Sequence, residues 1–169
     1  MSLARSGKGS QTAPWKRLVG GLRWPTSVVV REPGRTLLFT EARAVRELSL
    51  ATERISTPLE IPLPFNVVGL ALEDDGSVLI ADAGVHPNGL GRLMKGRLGE
   101  KSVEILASGW NRLGSLAFLL SRRLALLSQG GAWPRGKVLA LNSTLSDHLP
   151  LLTLHEVPWV PPSLPLSGP

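Results

Sequence analysis

The chain has 169 residues, a length that fits one ordinary domain, and at 43% hydrophobic it can bury a core. Cysteine is absent, which excludes disulfides, thiolate metal sites and cysteine nucleophiles, and no apolar run reaches the ~18 residues that a membrane-spanning helix needs. The formal charge of +6 favours anionic partners such as RNA, acidic proteins or anionic lipid, and bears on association rather than fold.

Residues 1–19 read as a flexible basic leader. Arg5, Lys8, Lys16, Arg17, Arg23 and Arg31 accumulate at this end before any acid, with Ser2, Ser6, Ser10 and Thr12 among them. An Arg- and Ser-containing stretch of this kind fits organelle targeting, whereas Gly7, Gly9 and Pro14 weaken an amphipathic helix and favour a plain basic tail. The composition assigns no compartment, and the cytoplasm is the expected one.

Beyond the leader, aromatic residues recur at Trp24, Phe65, Trp110 and Trp159, at intervals of about 45 residues, a spacing that marks a repeat architecture. Three repeats follow, over 20–62, 63–108 and 109–157. Each divides into four short strands. The first strands are Ser27–Val30, Gly69–Leu72 and Ser115–Leu119; the second are Thr36–Thr40, Ser77–Ala81 and Leu124–Ser128. Third strands are predicted at Val45–Leu50, Gly91–Lys95 and Lys137–Leu141, and fourth strands at Ile55–Ile61, Val103–Ala107 and Leu151–Leu154. Asp75-Gly76 between two apolar runs is a hairpin signal. Residues 158–169 are proline-rich, and read as a polyproline-like tail or the stub of a fourth repeat.

Two windows also fit helices. Leu113, Leu116, Ala117, Leu120, Leu124 and Leu127 follow helical spacing, and Glu41 to Leu50 is rich in helix formers. The aligned middle repeat argues against both, because Asp75-Gly76 breaks it and Val78, Leu79 and Ile80 favour strand.

The middle block, Val68-Gly69-Leu70-Ala71-Leu72-Glu73-Asp74-Asp75-Gly76-Ser77-Val78-Leu79-Ile80-Ala81-Asp82-Ala83-Gly84, resembles an NHL-type β-propeller repeat. It is also similar to repeats of the gluconolactonase and strictosidine-synthase-like six-bladed propellers. The resemblance implies an all-β fold, a partial and open β-propeller of about three four-stranded antiparallel blades. Propellers close rings of about 4–8 blades, so an arc of three implies a protein partner, or self-association, that completes the ring.

In such propellers the loops joining second to third strands share a rim with the loops joining blades. Here that rim carries Arg23, Trp24, Asn111, Arg112, Trp133 and Arg135. Tryptophan beside arginine occurs at Arg23/Trp24, Trp110/Arg112 and Trp133/Arg135, a pairing suited to single-stranded RNA. The aromatic at Trp24, Phe65 and Trp110 also reads as a blade-packing residue. The resemblance to gluconolactonases implies instead a divalent cation, Ca²⁺ or similar, on Asn66, Asn111 and Asp82, though Asn66 lacks the glycine that follows it in that family's motif. The plainer role of both asparagines is to hold turn backbone, and that of Asp82 and Glu41 is to brace the following loop. His86 with Asp82 and Asn88 matches no metal spacing, and His148 and His155 lack a nucleophile-elbow serine. The expected function is a binding module, contacting protein or RNA through its rim, without intrinsic catalysis or cofactor. The alternative is an arc of a divalent-metal-dependent lactone or ester hydrolase.

Overall fold

Alternating apolar residues punctuated by tight turns give up-and-down strands in the computed structural model, which describes residues 17–41, 43–61, 66–84, 89–119, 121, 124–130 and 137–142. Most of the expected leader, Phe65, His86, Asn88, Trp133, Arg135, His148, His155, the Leu151–Leu154 strand and the proline-rich tail lie outside the described residues.

The first sheet contains β1 (Pro25–Glu32), β2 (Thr36–Glu41), β3 (Ala44–Ser49) and β4 (Ile55–Glu60). The second contains β5 (Val67–Leu72), β6 (Ser77–Asp82), β7 (Gly91–Arg97) and β8 (Val103–Trp110). The third contains β9 (Leu113–Leu119), β10 (Leu124–Gln129) and β11 (Lys137–Asn142). All three sheets are open and antiparallel, and each strand pairs with its neighbours in sequence. Both windows that also fit helices are strands, β3 and β9–β10, and no α-helix occurs among the described residues.

Turn chemistry sets the hairpins. Between β5 and β6, Glu73 N donates to Ser77 O at 2.9 Å and Gly76 N donates to Glu73 O at 3.1 Å. Gly76 sits at φ 79°, where a side chain would be strained. Between β1 and β2 the same work falls to Arg35 N, which donates to Glu32 O at 3.0 Å, with Gly34 at φ 70°.

Strand period 2 sends alternate side chains to opposite faces, and both faces of the second sheet are covered. One face places Leu70, Val78, Ile80 and Met94 against Leu38, Val45 and Leu59 of the first sheet. Its other face places Ala71, Leu79, Ala81 and Leu93 against Leu116, Ala125, Leu127 and Leu139 of the third. Every residue of β6 is buried as a result. Each large aliphatic side chain removed from water in these layers contributes roughly 1.5–3 kcal/mol.

Close approach of the sheets depends on Gly69. A Cβ there would lie 2.6 Å from Leu116 Cβ and 2.7 Å from Leu116 N. The first and second sheets are also joined by polar contacts at their first strands. Thr26 Oγ1 donates to Val67 O at 2.9 Å, and Leu70 N donates to Ser27 Oγ at 3.1 Å.

A β-bulge opens the first strand of every sheet. Register slips between Pro25 and Val28, between Val67 and Gly69, and opposite Leu127/Gln129 in β9. The same irregularity three times supports one repeated unit, since bulges are specific features rather than defects. The recurring aromatic does not repeat in environment. Trp110 is buried in the core between the second and third sheets, as a packing residue would be, but Trp24 is 86% exposed. Its sheet is the first in the chain, with no described sheet before it to cover the ring.

Candidate binding rim

The bulge register shows which residues occupy equivalent places on the rim. Pro25 pairs with Glu41, Val67 with Asp82, and Leu113 with Gln129. The residues just before these first-strand partners are Trp24, Asn66 and Arg112. Trp24 and Arg112 share a left-handed backbone, at φ 49° and 53°. Arg112, rather than Trp110, therefore stands where Trp24 stands.

The acid closing the second strand ties each lead-in segment to its own sheet. Arg23 N donates to Glu41 Oε1 at 2.9 Å, and Asn66 N donates to Asp82 Oδ1 at 2.6 Å. Asp82 Oδ1 also accepts from Gly84 N at 3.1 Å, and Ala83 N donates to Asn66 O at 2.8 Å. In the third sheet Gln129 stands at this place, and Gly130 N donates to Arg112 O at 2.8 Å. Asp82 is 1% exposed, and burial pushes its carboxyl above the ordinary value, opposed by the N–H bonds from Asn66 and Gly84 and by the charge of Arg92. The Glu41 carboxyl is held below its ordinary value, first by Arg23 N–H and then by Arg46.

An open groove of about 380 Å³ lies on this rim at the first sheet, lined by Arg23, Glu41, Arg43, Arg46, Thr57 and Glu60, with Ala44 and Ile61. Arg46 Nε sits 2.8 Å from Glu41 Oε2, and Arg46 Nη1 donates to Thr57 Oγ1. Ile61 N donates to Arg43 O at 2.7 Å, which pins the short turn between β2 and β3 against the end of β4. The guanidinium groups of Arg23 and Arg43 have no hydrogen-bond or ion-pair partner among the described residues. The groove can therefore receive negative charge from a ligand while Glu41 orients Arg46.

Among the sequence candidates, Arg23 lines this groove, and exposed Trp24 follows it in the chain. Asn66 and Asp82 meet at the second sheet, and exposed Asn111 and Arg112 lead into the third. Arg43, Arg46 and Glu60 were not anticipated. Their trace in the sequence is Arg43-x-x-Arg46, which runs from the short turn between β2 and β3 into β3. For the cation reading, Asp82 Oδ1 is occupied by backbone N–H groups. No three His, Asp or Glu side chains converge among the described residues.

No family model matches the chain, and no curated protein matches it in sequence. Solved structures do resemble it. A glucose dehydrogenase-type oxidoreductase from Thermus thermophilus aligns with a TM-score of 0.61 at 18% identity, covering 75% of this chain and 46% of its own. An oligogalacturonate lyase from Vibrio parahaemolyticus aligns at 0.54 and 11% identity, over 68% of this chain and 37% of the lyase. A chain of the nidogen–laminin complex aligns at 0.56 and 14% identity, over 70% of this chain and 44% of that one. These are propeller-type folds, and the protein is an all-β, partial and open propeller of that kind. It spans less than half the length of each.

Proposed function

We propose that this arc is an interaction module of NHL-like propeller type, whose basic rim takes an acidic protein segment. The observation that carries the reading is the groove lined by Arg23, Arg43 and Arg46, with exposed Trp24 next to Arg23 in the chain. Tryptophan and arginine are the side chains that dominate binding energy at protein interfaces, and the Arg23 and Arg43 guanidinium groups make no hydrogen bond among the described residues. Rim-bound RNA has less support. A stacking surface needs several exposed rings, and Trp110 is buried. The hydrolase alternative has less still: a cation on Asn66, Asn111 and Asp82 would compete with the N–H bonds already made to Asp82 Oδ1.

A fluorescence titration with a deca-glutamate peptide, and in parallel with an oligouridine RNA, tests this. Peptide binding that perturbs tryptophan emission, weakens as salt rises, and falls at least tenfold in an Arg23→Glu/Arg43→Glu variant is the expected result. Binding of RNA in preference to peptide, or peptide binding indifferent to the double variant, would overturn it.

A further inference from the structure

Arg46 holds a hydroxyl as well as a carboxylate. Its Nη1 donates to Thr57 Oγ1 while its Nε sits 2.8 Å from Glu41 Oε2, so the guanidinium is already oriented on the Thr57 side chain. Thr57 is exposed and lines the groove together with Arg23 and Arg43. It lies on β4, the edge strand of the first sheet, where the register leaves Arg46 opposite both Thr57 and Pro58. A bulge of this kind re-aims side chains and takes one residue out of the ladder. The local sequence has its own mark: of the 14 prolines in the chain, Pro58 alone follows a serine or threonine.

We propose that Thr57 is a phosphorylation site for a proline-directed protein kinase, and that the groove arginines hold the phosphate it acquires. In the transfer Thr57 Oγ1 bonds to the γ-phosphorus of a nucleoside triphosphate, and the bond from that phosphorus to the β–γ bridging oxygen breaks. The nucleoside diphosphate leaves, and the hydroxyl proton passes to the base of the kinase. Pro58 suits such an enzyme because it brings no backbone N–H to be left unpaired beside the reacting hydroxyl. The product keeps Oγ1 as an ester oxygen next to Arg46 and adds three acceptor oxygens for charge-assisted bonds, with Arg23 and Arg43 lining the same groove. The unmodified groove opposes three guanidinium groups to two carboxylates, Glu41 and Glu60, a formal excess of one positive charge. A phosphate carrying about −1.5 to −2 at neutral pH reverses that sign. The modified chain therefore repels the acidic segment that the unmodified groove receives, a consequence that rests on the function proposed above.

Incubation of the full chain with a proline-directed kinase and magnesium ATP, followed by fragmentation mass spectrometry, provides the first test. Phosphate should appear on Thr57, and Thr57→Val should lose that label; an unlabelled Thr57 would overturn the inference. Protein carrying phosphothreonine in place of Thr57, made by codon suppression, then reports on the contact. Its phosphorus NMR resonance should titrate at a pH about 1 lower than the same resonance in an Arg46→Gln background, because a guanidinium favours the dianion. Equal titration in the two would also overturn it. Deca-glutamate should bind the phosphorylated chain roughly tenfold or more weakly than the unmodified one, and equal binding to both would sink the closing of the groove. Failure of the unmodified chain to bind deca-glutamate would instead defeat the function proposed above, and the phosphorus titration would still decide the phosphate site.

Discussion

Asp82 shows how one side chain organises the rim. It accepts the backbone N–H groups of Asn66 and Gly84 from inside the protein, where an unmet donor costs about 1–3 kcal/mol. Asp82→Ala should lower unfolding free energy by about 2 kcal/mol in urea denaturation. Asp82→Asn keeps an acceptor and removes a buried charge, so it should cost much less. The pH dependence has a definite sign. Because burial raises the folded carboxyl above its unfolded value, the stability linked to its proton is present at acid pH and declines as pH rises through the raised value. The wild type minus Asp82→Asn difference should therefore shrink on alkalinisation. Asp75 behaves oppositely. Hydrogen bonds from Ser77, with help from Lys95, hold it at about 2, so its contribution is full above the ordinary carboxylate range and is lost as pH falls toward 2. An Asp75→Asn variant should be less stable than wild type at neutral pH and converge with it near pH 2.

At the level of elements, Gly69 decides how close β5 and β9 come. Gly69→Ala puts a methyl group 2.6 Å from Leu116 Cβ, and overpacking of this sort costs roughly 1–3 kcal/mol. Thermal unfolding should show the loss, and Leu116→Ala in the same background should not return it, because alanine keeps the Cβ and backbone N that the methyl group meets. The strands themselves were legible from alternation and turns, to within a few residues at each end. β3 was ambiguous because it is rich in helix formers, and β9 and β10 for another physical reason. Leu119, Leu124 and Leu126 on one face add to Leu116, Ala125 and Leu127 on the other, and a strand apolar on both faces carries no period-2 contrast. The site was legible as a rim but not as a groove. Glu41, Arg46 and Glu60 come from three strands, and only their pairing brings them to one end of the sheet. The aromatic alignment also misled: chain spacing matched Trp110 to Trp24, whereas hydrogen-bond register matches Arg112.

At the scale of the molecule, the two packed cores of the described residues lie between neighbouring sheets, as in other repeat proteins. Divalent metal should leave the melting temperature unchanged, since Asp82 is committed to backbone; a rise of several degrees with Ca²⁺ would instead support the hydrolase reading. The complete burial of β6 between two layers has a dynamic corollary. Its amides should exchange with deuterium only through global opening, while those of β1 exchange by fraying from the outer margin of the arc. Mild denaturant should then accelerate exchange in β6 steeply and in β1 only slightly, a kinetic fingerprint of where this protein comes apart first.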